Sequence, residues 1–151
     1  MKKILTLFAI SSILCGASTA VNAESGHDHD KVGGPKGGRL LEGTQPRAEF
    51  FVEKDNTVTV TFYDEALKPV AVSGQSVTVI AETGGKKSTV EFEKKGDALV
   101  SQGPLPEEHA LNLIVQFKQS AEAKPLNFRF VYEDHVCGEC KRAEYACICA
   151  H

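Results

Sequence analysis

The sequence predicts an all-β fold, an immunoglobulin-like antiparallel β-sandwich of about seven strands that continues into a cysteine-rich C-terminal tail. Three observations carry this. Between residues 47 and 134 apolar side chains recur at every second position, the period of a strand with one buried and one wet face, and not at the helical 3.6. The runs are short and end at turn-forming residues. No cysteine lies inside them, so a sandwich of this kind lacks the inter-sheet disulfide of antibody domains. A small barrel has the same signature and stands as the alternative.

The elements follow in order. Phe50 and Val52 share a face along 48–53, and Val58, Val60 and Phe62 alternate with Thr57, Thr59 and Thr61. Val77, Val79 and Ala81 form a third run, Val90 with Phe92 a fourth, and Leu99 marks a fifth. Leu111, Leu113, Val115 and Phe117 alternate with Asn112, Gln116 and Lys118, and Leu126, Phe128, Phe130 and Tyr132 with Asn127, Arg129 and Glu133. The breaks fall at Lys54-Asp55-Asn56, Lys68-Pro69, Ser73-Gly74, Gly84-Gly85, Lys95-Gly96-Asp97, Gly103-Pro104 and 121–125. Gly84-Gly85 between two alternating runs is a hairpin signal, because glycine takes the positive φ angles a tight hairpin demands.

Ahead of the strands, residues 1–23 have the form of a secretory signal peptide. Lys2 and Lys3 are followed by an apolar run from Ile4 to Leu14 that is too short to span a bilayer, with small residues before Glu24. Cys15 falls within this leader, and the expected compartment is the periplasm. Removing the leader moves the formal net charge from −3 to −5, a mildly acidic surface without the basic footprint of a nucleic-acid binder. No later segment is long and apolar enough to anchor the chain. Residues 24–46 read as a Gly-rich linker carrying His27-Asp28-His29-Asp30, in which His27 and His29 are candidate ligands for a divalent ion. No Ser/His/Asp set or paired carboxylates stand out, and the expectation is a binding protein rather than an enzyme.

The chemistry concentrates at residues 135–151. Four of the five cysteines lie there, as Cys137-x-x-Cys140, six residues, then Cys147-x-Cys149, with His135 and His151 at the two ends. A Cys-x-x-Cys around Gly138 turns both sulfurs toward one point, as in the knuckles of zinc sites. The spacer from Lys141 to Ala146 is long enough for one helical turn and a return. Thiolates select soft or borderline ions, so zinc or Cu(I) is the expected metal, and Lys141 and Arg142 would offset part of the thiolate charge. His135 and His151 are spare ligands. Two other readings remain open. The cysteines of a small exported protein can pair as disulfides and staple an interaction module without metal. A Cys-x-x-Cys can also serve thiol–disulfide exchange, although no βαβ pattern surrounds it here.

Gly34-Pro35-Lys36-Gly37-Gly38-Arg39-Leu40-Leu41-Glu42, then Ala48-Glu49-Phe50-Phe51-Val52 and Gly96-Asp97-Ala98-Leu99-Val100, resembles the small N-terminal β-domain of periplasmic adaptor (membrane fusion) proteins of heavy-metal RND efflux systems. The resemblance spans roughly residues 34–133. That family often has a histidine before the Gly-Gly-Arg-Leu stretch, where this chain has Lys36. The long coiled-coil and barrel portions of an adaptor are absent, so the resemblance implies a free-standing relative. It implies metal handling in the cell envelope, with a heavy-metal efflux component as partner.

Overall fold

The computed structural model describes residues 32–149, residue 109 excepted. His27, His29, His109, His151 and the leader with Cys15 lie outside the described residues. Among the described residues nine strands form: β1 Arg39–Leu41, β2 Arg47–Val52, β3 Val58–Tyr63, β4 Pro69–Val70, β5 Ser76–Thr83, β6 Lys86–Lys95, β7 Ala98–Ser101, β8 Leu111–Lys118 and β9 Leu126–Tyr132. All seven expected runs are strands. The two additional ones, β1 and β4, are three and two residues long, too short to show a period in sequence. β1 falls within the stretch 24–46 that reads as linker. Among the described residues no helix is long and apolar enough to cross a membrane.

Every pairing is antiparallel, in the order β1-β2-β3-β7-β6-β5-β8-β9, with β4 added beside β3. The first part of β6 pairs with β5 (Thr89 opposite Ile80) and its last part with β7 (Lys94 opposite Leu99). One strand thus belongs to both halves, and the sheet folds over at that point into two packed layers. β6 bears this because most of it is solvated, with Val90 and the half-buried Phe92 its contacts with the core. The expected hairpin is present: Thr83 pairs with Lys86, and Gly84 and Gly85 take φ of 53° and 78°.

The alternating apolar faces meet between the layers. Ala48, Phe50, Val58, Val60 and Phe62 from one half face Val77, Val79, Leu113, Val115 and Phe117 from the other, and the Phe62 and Phe117 rings lie 6.2 Å apart. Each fully buried side chain of this size stabilises the fold by roughly 1.5–3 kcal/mol. Folding the sheet over leaves an open seam between its two terminal strands, β1 and β9. The C-terminal tail closes it: a 3-10 turn, Glu144–Ala146, packs on both strands.

Candidate metal centre

The tail begins as a tight hairpin. Val136 bridges Ala143, Cys137 N–H donates to the Arg142 carbonyl at 2.8 Å, and Lys141 N–H donates to the Cys137 carbonyl at 3.2 Å. Gly138 and Glu139 sit at its tip, so the Cys137-x-x-Cys140 segment is a closed knuckle. Lys141 has φ of 60°, a left-handed conformation that costs a non-glycine residue on the order of 1 kcal/mol. The hairpin hydrogen bonds hold it there. The chain then docks: Glu144 N–H donates to the His135 carbonyl at 2.9 Å and Tyr145 N–H to the Glu133 carbonyl at 3.2 Å. The 3-10 turn returns the chain beneath the knuckle and delivers Cys147 and Cys149.

Tyr145 is the anchor of this arrangement. It is 5 % exposed, lies 5.1 Å from the Tyr132 ring, stacks on Phe130 at 6.5 Å and meets Phe50 edge-on at 6.3 Å. Its hydroxyl accepts a 3.0 Å bond from Val52 N–H, and its carbonyl accepts one of 3.1 Å from Arg39 Nη1. The Arg39 guanidinium also lies 4.7 Å over the Phe130 ring. Burial pushes the Tyr145 phenol up to about 12, keeping it neutral and available as an acceptor.

The four sulfurs converge. Cys140 and Cys147 Sγ are 3.6 Å apart, Cys137 and Cys149 Sγ 3.9 Å, and all four lie within 4.8 Å of one another. A tetrahedral ion with metal–sulfur bonds of about 2.3 Å requires sulfur–sulfur edges of about 3.8 Å. Two of the sulfur–sulfur distances match that edge, and the cluster, drawn from two separate legs of the tail, is compatible with holding a metal ion. Cys137 is buried and the other three are partly exposed.

The electrostatics of the cluster are uneven. The Cys140 thiol is lowered to about 6 by backbone N–H bonds from Ile148 and Arg142, with the neighbouring Cys147 and Cys137 thiols adding to the effect against burial. At Cys147 the Cys149 N–H pulls the other way, but burial and the Cys137 and Cys140 sulfurs leave the thiol raised. Cys149 is raised by burial first, then by the sulfurs of Cys147, Cys140 and Cys137 and by Glu139. Beside these causes the sulfurs also act on one another: once Cys140 ionises, Cys147 and Cys149 resist a second negative charge in the same small space. A cation at the centre removes that obstacle, so metal binding and proton release are coupled.

His135 stands outside the cluster, exposed, with Nδ1 4.0 Å from a Glu133 carboxylate oxygen. The Arg142 side chain is engaged by the loop before β1. Its guanidinium donates to the carbonyls of Gly34, at 3.2 Å, and Gly38, at 3.4 Å, clasping the tail to the Gly-rich loop that precedes β1. That loop in turn wraps Glu49, a carboxylate with no exposed surface. Glu49 Oε1 accepts from Lys36 N–H at 3.0 Å and Gly38 N–H at 2.7 Å, while Oε2 accepts from the Tyr63 hydroxyl at 2.7 Å. Burial, followed by this bond and the Glu49 charge, raises the Tyr63 phenol. A Cβ at Gly34 would run into the Glu49 carboxylate and one at Gly38 into the Phe50 carbonyl, so the loop needs glycine at both places. Glu49 and Tyr145 gave no signal in the sequence, because their partners lie many residues away and are in part backbone groups.

Comparison with protein-family models, with curated proteins and with solved structures finds no match. Fold and site together define a β-sandwich whose own C-terminal tail carries a four-cysteine cluster of metal-binding geometry.

Proposed function

We propose that the protein is an exported, periplasmic metal-binding protein, not an enzyme, whose four tail thiolates hold zinc, with Cu(I) as the competing ion. One observation carries the reading: four sulfurs from two legs of the tail lie within 4.8 Å of one another, and the Cys140–Cys147 and Cys137–Cys149 separations of 3.6 and 3.9 Å match the edge of a tetrahedral thiolate site. Zinc is favoured because all four donors converge, whereas Cu(I) is satisfied by two or three. Four thiolates leave no open position for substrate, which suits holding rather than catalysis. The resemblance to adaptor domains supports a role in metal delivery, buffering or sensing beside a heavy-metal efflux system, and His27 and His29 would serve as a low-affinity collector.

The test is elemental analysis of protein purified from its native compartment, combined with a count of free thiols after metal removal. One zinc per chain and reduced Cys137, Cys140, Cys147 and Cys149 are expected. Two disulfides and no bound metal, together with no zinc uptake once the chain is reduced, would defeat the proposal in favour of a stapled interaction module. Catalytic, insulin-reductase-like turnover that disappears in Cys137→Ser would favour a redox protein instead.

A further inference from the structure

We propose that the same cluster is a site of reversible oxidation, at which a disulfide oxidant forms two crossed bonds, Cys140–Cys147 and Cys137–Cys149, and expels the metal. The proposal rests on the zinc reading above and adds the means by which the ion leaves. Its basis is the arrangement of the sulfurs. The 3.6 Å pair and the 3.9 Å pair each join one cysteine of the knuckle to one cysteine beyond the 3-10 turn. Closing such a gap to a bond of about 2.05 Å asks the two sulfurs to approach by less than about 2 Å. Both legs are already fixed side by side by the hairpin and by Tyr145, so the crossed bonds form without undocking the tail.

Exposure sets the order of events. Cys137 is 6 % exposed, whereas Cys140, Cys147 and Cys149 are partly open to solvent. Cys147 also forms part of the wall of a cleft of about 460 Å³ between β1 and the tail. The Cys140 thiolate attacks one sulfur of the oxidant RSSR, forming Cys140–S–S–R and releasing one RS⁻. Cys147 then attacks the Cys140 sulfur, completes the first bond and releases the second RS⁻. A second RSSR reacts in the same way at Cys149, with Cys137 displacing the last RS⁻. Four cysteine thiolates have then given four electrons to two oxidant molecules, which leave as four thiolates. The divalent ion departs because no sulfur ligand remains. In an oxidising compartment a dithiol oxidase carries a disulfide of this class, and a thiol reductant reverses both steps.

The experiment uses the full chain, reduced, loaded with one equivalent of zinc and titrated with oxidised glutathione while a chromophoric indicator follows free zinc. Two equivalents of oxidant should release one zinc and consume all four tail thiols. Unreduced tryptic digestion should then leave the peptide ending at Lys141 joined to the one beginning at Ala143. The paired variant Cys140→Ser/Cys147→Ser should form one Cys137–Cys149 bond, and Cys137→Ser/Cys149→Ser one Cys140–Cys147 bond. Bonds confined to Cys137–Cys140 and Cys147–Cys149, or zinc retained after all four thiols are lost, would overturn this proposal and leave the metal reading intact. Failure of the reduced chain to take up zinc before any oxidant is added would remove the metal reading and this one with it.

Discussion

Replacing Tyr145 by alanine should destabilise the whole domain, although the residue lies in a tail beyond the last strand. Its ring is 5 % exposed and is enclosed by Phe50, Phe130 and Tyr132. Removing an enclosed aromatic ring costs about 3–5 kcal/mol. Losing the hydroxyl that accepts the Val52 N–H bond adds about 1 kcal/mol. The expected loss is therefore about 4–6 kcal/mol, comparable with the whole stability of many domains. Tyr145→Phe keeps the ring and loses only the acceptor, so about 1 kcal/mol is expected. Urea unfolding of the zinc-loaded chain, with slopes of roughly 2 kcal/mol per molar, separates the two: roughly 2–3 M lost from the midpoint for alanine, roughly 0.5 M for phenylalanine. Zinc uptake should survive in Tyr145→Phe and weaken in Tyr145→Ala, since an undocked tail must order itself around the ion. An alanine variant within about 1 kcal/mol of the parent would refute the docked tail and the seam it closes.

Three further outcomes follow from the same contacts. Glu49→Ala leaves Lys36 N–H, Gly38 N–H and the Tyr63 hydroxyl without their acceptor, at about 1–3 kcal/mol for each buried group. Glu49→Gln keeps one acceptor oxygen and should cost clearly less; equal losses in a denaturant titration would contradict the assigned bonds. Gly34→Ala should loosen the loop and lower the thermal midpoint, because the new Cβ collides with the Glu49 carboxylate. In zinc-free, reduced protein, alkylation of Cys140 should rise with pH through about 6, ahead of Cys149, whose thiol is raised; site-resolved mass spectrometry reads both. Since the Cys140 value is depressed on folding, its ionisation favours the folded chain fully above the ordinary thiol value of 9.0 and ceases to do so as pH falls through about 6.

Much of the architecture was legible in the chain itself. The period-two alternation of Val58, Val60 and Phe62, or of Leu111, Leu113, Val115 and Phe117, requires a sheet with one buried face, and the Gly84-Gly85 step requires a tight turn. The cysteine spacing likewise identified Cys137, Cys140, Cys147 and Cys149 as candidate ligands, because two short Cys motifs and a six-residue spacer are local facts. What the chain did not disclose were the relations between distant segments. β1 and β4 are too short to carry a period. Glu49 sits in an otherwise ordinary strand and becomes an anchor only when a glycine loop eleven to thirteen positions earlier closes over it. Tyr145 looks like one aromatic residue in a polar tail until β1 and β9 leave a seam for it to fill. Side-chain period and covalent spacing are properties of neighbours along the chain, and they determined the sheet and the candidate ligand set. Which sulfur faces which, and what holds the two legs together, depends on contacts across the fold, and only the tertiary structure decided them.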